Sequence, residues 1–420
     1  YKRQSMPFGV NACNMTLKHL NGIKVLEFTQ TVMGPTAGLI LAELGADVIK
    51  VEPAPNGDKT RRLGGFGAGF FSGLNRNKRG LAVDLKSPEG REVVHKLVAD
   101  TDVILENFAP GTMERLGCGF KELSHINPRL IYLALKGYLA GPYENRPALD
   151  EVVQFQSGLA WMTGPPGQPL RAGASVIDIM GAMFGVIGIQ AAIQEREKTG
   201  KGQRVSSSLF ESAVFLMGTH MAGMAATGSE ARPMPARGRA WAIYDVFQTK
   251  DDEELFIGVT SDQHWERFVE EFDLTDLRND PRLSTNPKRV EEREWLLPAV
   301  RKSLQRHDRK EIEFKAETCK ISWARVGQPG DLFDDPHLLA TGGLLDVFVS
   351  RFGEEAGQTV GLPNLPLEFG KARNRPSLKG QPPTVGEHNE EILLAVGYKQ
   401  DDIEELYSKN VLANNTTIKK

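Results

Sequence analysis

LNGIKVLEF (20–28) and ADVIKVE (46–52) flank a segment that opens at Gly34-Pro35, runs through Leu39, Leu41 and Leu44, and closes at Gly45. The pattern reads as strand, helix, strand. Within about thirty residues that is a βαβ unit, whose two strands lie parallel. Glu52 ends the second strand where a dinucleotide fold would place its ribose-binding acid. The first turn, Gln30-Thr-Val-Met-Gly-Pro35, lacks G-x-G-x-x-G, so a nicotinamide site is rejected.

The alternation continues outward. Residues 57–74 (GDKTRRLGGFGAGFFSGL) read as a mobile glycine-rich loop without the G-x-x-x-x-G-K-[ST] of a phosphate cradle. Asn75–Arg79 leads into a strand over Gly80–Leu85. Ser87-Pro-Glu-Gly90 caps a helix to about Ala99. Asp102–Asn107 is a strand, after which Thr112 caps a short helix through Arg115. Arg129–Leu135 is a further strand, stopping at Lys136-Gly137-Tyr138. The strands alternate with helices, as a parallel sheet requires, and ligands of such sheets sit at the carboxyl ends of the strands. Asn107, Arg115, Lys136 and Tyr138 fall at or beyond those ends, where cations and amide donors suit a phosphorylated, nucleotide-like ligand. Each alone reads as a solvated surface residue.

Residues 204–227 read as one long apolar helix, with His220 as a core histidine. Gly228–Gly238, rich in Pro, Arg and Gly, reads as a linker. A second block comes next: a hairpin around Asp251-Asp-Glu-Glu254, charged helices from Gln263 to about Lys320, Pro-rich connections at 361–370 and 376–387, and a closing helix from Glu390.

At 420 residues the chain exceeds one ordinary core. A net charge of −3 with scattered basic residues points to neither nucleic acid nor a membrane surface. Cys13, Cys118 and Cys319 show neither zinc nor disulfide spacing, which implies a reducing, cytoplasmic setting. The histidines show no metal-ligand pairing, and no apolar run reads as a membrane span. Residues 1–14 lack a signal-peptide core and read as a leader before Met15.

Arg171-Ala-Gly-Ala-Ser-Val-Ile-Asp178 opens a segment apolar on nearly every face, IMGAMFGVIGIQAAIQ (179–194), which ends in charge and the C-cap glycine of Thr199-Gly200. A helix hydrophobic all round is expected to be buried, with Gly181, Gly185 and Gly188 letting a neighbouring backbone close in. Asp178 then has two readings. Ser175-x-x-Asp178 matches a capping box, in which the carboxylate only satisfies backbone donors. Alternatively Asp178 is a nucleophilic carboxylate in a dry site.

GADVIKVE (45–52), NRNKRGLAVDLKSPEGR (75–91), LENFAPGTMERLG (105–117), LKGY (135–138), TGKGQ (199–203) and GEHNEEIL (386–393) together resemble the family III CoA-transferases, over essentially Leu17 to Tyr407. The resemblance implies an α/β fold: a Rossmann-like parallel-sheet large domain from residues 15–227 and 346–420, a small α+β central domain within 228–345, and an interlocked homodimer. It places the catalytic aspartate at Asp178. CoA contacts carry over to Val83, Asp84, Leu85, Lys86, Asn107, Phe108, Arg115, Lys136, Gly137 and Tyr138, and the first turn Thr31, Val32 and Met33 closes on the thioester. Val32 stands where the formyl-CoA enzymes have Gln, and Pro53 where they have a CoA-binding Arg, for which Arg61 or Arg62 could substitute. The implied substrates are an acyl-CoA thioester and a carboxylic acid, with no permanently bound cofactor. The implied chemistry runs from an aspartyl mixed anhydride to an aspartyl-CoA thioester.

Two rivals remain. The α-methylacyl-CoA racemases share the fold and pair the aspartate with a histidine in Gly-His-Asp. Here the stretch reads Ala148-Leu149-Asp150, and leucine cannot act as a base. A CoA-binding protein without chemistry is the other. Residues 231–247 lack the glycine run of the oxalate enzymes, and Arg237 and Arg239 are candidates to bind the second carboxylate of a dicarboxylic acid such as succinate, itaconate or malate, unless they are linker surface.

Overall fold

Five segments carrying Val, Ile and Leu, and a serine-rich sixth, pair side by side: β1 Lys24–Phe28, β2 Asp47–Pro53, β3 Arg79–Val83, β4 Val103–Glu106, β5 Ile131–Lys136 and β6 Arg204–Ser208. All neighbours are parallel, in the order β3-β2-β1-β4-β5-β6. The order reverses between β1 and β4, which leaves a crevice beyond the carboxyl ends of those two strands. The computed structural model describes residues 19–236, 240–350 and 356–415. The leader with Cys13, and Arg237 and Arg239, lie outside the described residues.

Four helices position the crevice and its surroundings: α1 Met33–Glu43, α2 Asp150–Gln156, α3 Val176–Thr199 and α4 Leu209–Thr227. On one sheet face, Met33, Ala37 and Leu41 of α1 and Ile177, Ala182, Val186 and Ile189 of α3 bury against Val25, Leu105, Leu133 and Leu135. On the other, Val93, Val94 and Leu97 of the helix Pro88–Val98 pack with Ile392 and Leu393 of Asn389–Ala395 and Ile403 and Leu406 of Gln400–Ser408. Each such side chain contributes about 1.5–3 kcal/mol by leaving water. The C-terminal segment therefore completes the core that the N-terminal half begins.

The chain forms two units, Tyr1–Pro235 with Asp335–Lys420, and Ala236–Asp334. The second carries a three-stranded antiparallel sheet, Tyr244–Gln248, Glu254–Gly258 and Ser322–Arg325. Its core joins Phe247, Leu255 and Ile257 to Trp265, Phe268, Leu296 and Ile312.

Several sequence expectations are corrected. Residues 204–208 are the sixth strand, not the start of a helix, because RVSSS pairs with Tyr132–Lys136 and Ser208 then caps α4 through Glu211 N. The short helix Thr112–Arg115 has Gly111 as its N-cap at φ +74°, and the Thr112 hydroxyl is taken by Arg115 instead. Gly357–Pro363 pairs antiparallel with Leu344–Ser350, so the first part of the expected 361–370 connection is strand. The helix after Glu390 does not close the chain, since Gln400–Ser408 comes after it. The glycine-rich stretch is pinned by 3₁₀ turns at Lys59–Arg62 and Gly65–Gly67 and a helix at Phe70–Leu74.

α3 departs most from its pattern. By length and composition it could cross a membrane, with a hydropathy of 1.9, contrary to the absence of a span in the sequence reading. One side packs on the sheet, whereas Ile179, Met183 and Ile187 are 41%, 50% and 59% exposed. Its glycines accommodate side chains from α1, β5 and β6, namely Met33, Leu133 and Val205, rather than another backbone. Within one chain, then, α3 is buried on one side only.

Gly38 of α1 lies over a buried carboxylate: a Cβ there would sit 1.7 Å from Glu27 Oε2. Gly38→Ala is expected to lower stability by about 1–3 kcal/mol as the overpacked core shifts, measurable as a fall in Tm.

Candidate active site

The crevice floor is built from buried charge. Glu27 on β1, Lys50 and Glu52 on β2, and Asp58 and Lys78 beyond are each at most 4% exposed. Lys50 Nζ lies 3.5 Å from Glu27 and 3.1 Å from Asp58, and donates to the Thr29 carbonyl at 2.9 Å. Lys78 Nζ reaches Glu27 at 2.7 Å and the Pro35 carbonyl at 2.9 Å. Burial disfavours the Lys50 charge, but Asp58, Glu27 and Glu52 outweigh it and raise its pKa. For Lys78 burial wins, against Glu27, and pushes it down to about 8. Glu52 is held by Arg61 at 2.6 Å and accepts from Asp58 N at 2.7 Å, which accounts for this acid without a ribose.

This network holds the first turn. Asp58 Oδ1 accepts from the Thr60 hydroxyl at 2.7 Å, and Thr60 Oγ1 accepts from Thr31 N at 3.0 Å. Thr31 sits at φ +68°, a conformation non-glycine residues rarely adopt unless their surroundings impose it. Across the crevice Asn107, just past β4, accepts from Gln30 N at 2.9 Å and donates to Gln30 O at 2.8 Å. The turn Thr31-Val32-Met33 is thus clamped from both sides of the β1–β4 switch point.

Asp178 is the third residue of α3, and the capping box expected for it is absent. Ser175, the N-cap, makes no side-chain bond. Instead Asp150 of α2 reaches across, its Oδ2 accepting from Ile177 N at 2.8 Å and Asp178 N at 3.0 Å. The half-buried Asp178 carboxylate takes no hydrogen bond from any described residue. Burial, then the negative charges of Asp150 and Glu151, push its pKa up to about 7. Met33 lies against the same helix, because a Cβ on Gly181 would be 2.4 Å from Met33 Cε. The first turn and the opening of α3 are therefore neighbours.

The other sequence-predicted residues divide by their partners. Lys136 is paired with Glu106 at 2.6 Å and donates to the Phe108 carbonyl at 2.7 Å. Tyr138 is buried against Tyr143 and Phe210, with its hydroxyl on Gln156 Oε1 at 2.6 Å. Gly137 passes so near Ala148 that a Cβ would come within 2.3 Å of its methyl. Val83 ends the edge strand β3, two strands from β1, and Asp84, Leu85 and Lys86 follow it; Val83 is buried and Lys86 exposed. Arg115 is exposed. Of the two arginines proposed for the gap at Pro53, Arg61 is engaged by Glu52 and Phe71, whereas Arg62 is exposed and bonds the Asn56 carbonyl. Asp150 and the buried network were missed as working residues. For Glu27, Lys50 and Glu52 the signal was available: charged residues inside strands that otherwise read KVLEF and DVIKVEP, where a parallel sheet wants unbroken apolar runs. Asp150, first residue of a helix, carried no such signal.

With this geometry in hand, comparison with known proteins identifies the class. The profile of CoA-transferase family III matches residues 20–389, and the chain belongs to that family. It is 32% identical to an acyl-CoA transferase of Fusarium pseudograminearum over 96% of this chain and 92% of that protein. It is 29% identical to the human succinyl-CoA:glutarate CoA-transferase over 96% of this chain and 91% of the relative. A CaiB/BaiF family protein from Brucella suis superposes with a TM-score of 0.79 at 30% identity, covering 90% of this chain and 99% of that one.

The raised pKa of Asp178 has a consequence for stability. A carboxyl whose folded pKa lies above its unfolded value binds more protons folded, so its contribution is full below the unfolded value and is lost as pH rises through about 7. Asp178→Asn is therefore expected to raise Tm more at pH 8 than at pH 5, read by parallel thermal melts.

Proposed function

We propose that this CoA-transferase moves CoA from an acyl-CoA thioester to a free dicarboxylic acid, with Asp178 as the nucleophile. The unpartnered Asp178 carboxylate carries the reading: desolvated, free of backbone donors and titrating near neutrality, it is a usable nucleophile at working pH.

In the proposed cycle Asp178 attacks the thioester carbonyl and the C–S bond breaks, leaving an aspartyl mixed anhydride and CoA thiolate. The thiolate attacks the aspartyl carbonyl, expels the donor carboxylate and forms the aspartyl-CoA thioester. The acceptor carboxylate then attacks that thioester, and the two steps run in reverse to release the new acyl-CoA. Water must be excluded, because the anhydride hydrolyses. Part of that exclusion is assigned to a partner subunit. Ile179, Met183 and Ile187 on α3 and Phe215, Met221 and Met224 on α4 form exposed apolar surface suited to a homodimer. CoA enters as substrate, not as a resident cofactor. The buried free thiols Cys118 and Cys319, raised by burial to about 12 and about 11, support a reducing, cytoplasmic setting.

The racemase alternative has no support at Leu149, which is 64% exposed and caps α2 only through its backbone. The dicarboxylic acceptor rests on the name of the glutarate enzyme among the relatives.

Intact mass spectrometry of protein mixed with acyl-CoA and trapped with borohydride should show a modification mapping to Asp178. It should be absent in Asp178→Ala, with transfer lost by at least about 10³-fold; equal activity in the variant would remove the proposal. Arg237→Ala combined with Arg239→Ala should raise the acceptor KM by about tenfold while leaving the donor KM alone, and an unchanged acceptor KM would return both arginines to linker surface.

A further inference from the structure

The opening of α3 is held by a residue outside it. Its own N-cap side chain is idle, and the backbone donors of Ile177 and Asp178 go to one oxygen of Asp150 on α2. Asp150 is 4% exposed, and its second oxygen is occupied by Gln154 Nε2. α2 is in turn tied to the segment just past β5, where Tyr138 bonds Gln156, and to the loop before α3, where Gln154 Oε1 accepts from Ala172 N at 2.8 Å. An acid in the first turn of a helix ordinarily folds back onto free backbone N–H groups. Here the two nearest donors are already taken.

We propose that Asp150 is a positioning residue for CoA transfer: by capping α3 in place of the idle Ser175 side chain, it fixes the reactive carboxyl and leaves it unbonded for attack. The proposal rests on Asp178 being the nucleophile. Geometry is half of the role and charge the other half. The charged groups bearing on Asp178 are Asp150 and its neighbour Glu151, and Glu151 is paired with Arg171 at 3.2 Å. Among the described residues Asp150 therefore stands as the nearby anion without a cationic partner, and it bonds the residue it acts upon through that residue's own backbone.

The two halves separate by mutation. Asp150→Asn keeps an oxygen to accept from Ile177 N and Asp178 N but removes the charge. Its Tm should fall modestly, because the new amide NH2 faces Gln154 Nε2 donor to donor, and the acid limb of the kcat/KM profile should move down by about one pH unit as Asp178 loses a like-charged neighbour. Asp150→Ala removes the cap and frees both donors for Asp178. Its kcat should fall by about 10²-fold with the acyl-CoA KM largely unchanged, as a displaced nucleophile predicts.

Both variants are assayed beside Asp178→Ala, with trapping of the Asp178 adduct. Lower Tm in the Asp150 variants with wild-type kcat and an unmoved acid limb would make Asp150 a purely structural cap and overturn the proposal. If Asp150→Ala does not fold, the acid limb of Asp150→Asn decides alone. If Asp178→Ala retains transfer, the nucleophile assignment fails and the positioning role falls with it. An inactive Asp178→Ala beside wild-type-like Asp150 variants would sink the positioning role only.

Discussion

A carboxylate in the first turn of a helix is free for chemistry only when other groups satisfy the backbone donors around it. In this protein that constraint is met by Asp150, whose oxygen takes the N–H groups of Ile177 and Asp178 from another helix. Much of the site depends on this exchange. Asp178 is desolvated beside two acids and raised to about 7, where an ordinary surface aspartate would be fully ionised and solvated. The proposed transfer through an aspartyl anhydride asks for such a group, since ionisation at working pH and poor solvation together favour attack.

A second support lies under the other wall. Glu27, Glu52 and Asp58 are balanced by Lys50, Lys78 and Arg61 in the floor below β1 and β2. Buried ion networks of this kind are weak sources of stability, because desolvation offsets most of the attraction. Their value here is geometric. Through Asp58 and Thr60 the network reaches the amide of Thr31 and holds it at positive φ, while Asn107 clamps Gln30 from the adjacent strand. The segment that reads as a mobile glycine-rich loop thus contributes a fixed strut at 58–62. Lys136, expected to meet CoA, is similarly engaged with Glu106 at the end of β5. Residues at strand ends here organise one another before they meet any ligand.

The apolar periodicity of 20–28 and 46–52, the missing dinucleotide glycines and the spaced motifs up to 386–393 are legible in the amino-acid order, because each is a local property. So is the end of α3 at Thr199, with Gly200 in the left-handed conformation its C-cap needs. RVSSS at 204–208 reads wrongly as helix because its strand character comes from pairing with β5, which no window of the sequence contains. The apparent all-round burial of α3 misleads for a related reason. Composition reports that a face is apolar, not whether this chain is what covers it, and Ile179, Met183 and Ile187 remain exposed.

Residue type and spacing along the chain suffice for the parallel α/β class and the candidacy of Asp178, and the family enters through the resemblance of the spaced motifs. Whether Asp178 is a cap or a reactive group is undecidable at that level, since Ser175-x-x-Asp178 is compatible with both. Tertiary contacts supply what weighs against the cap reading: among the described residues none donates to the Asp178 carboxylate, and the Ile177 and Asp178 amides go to Asp150, 28 residues earlier in sequence and within 3.0 Å in space.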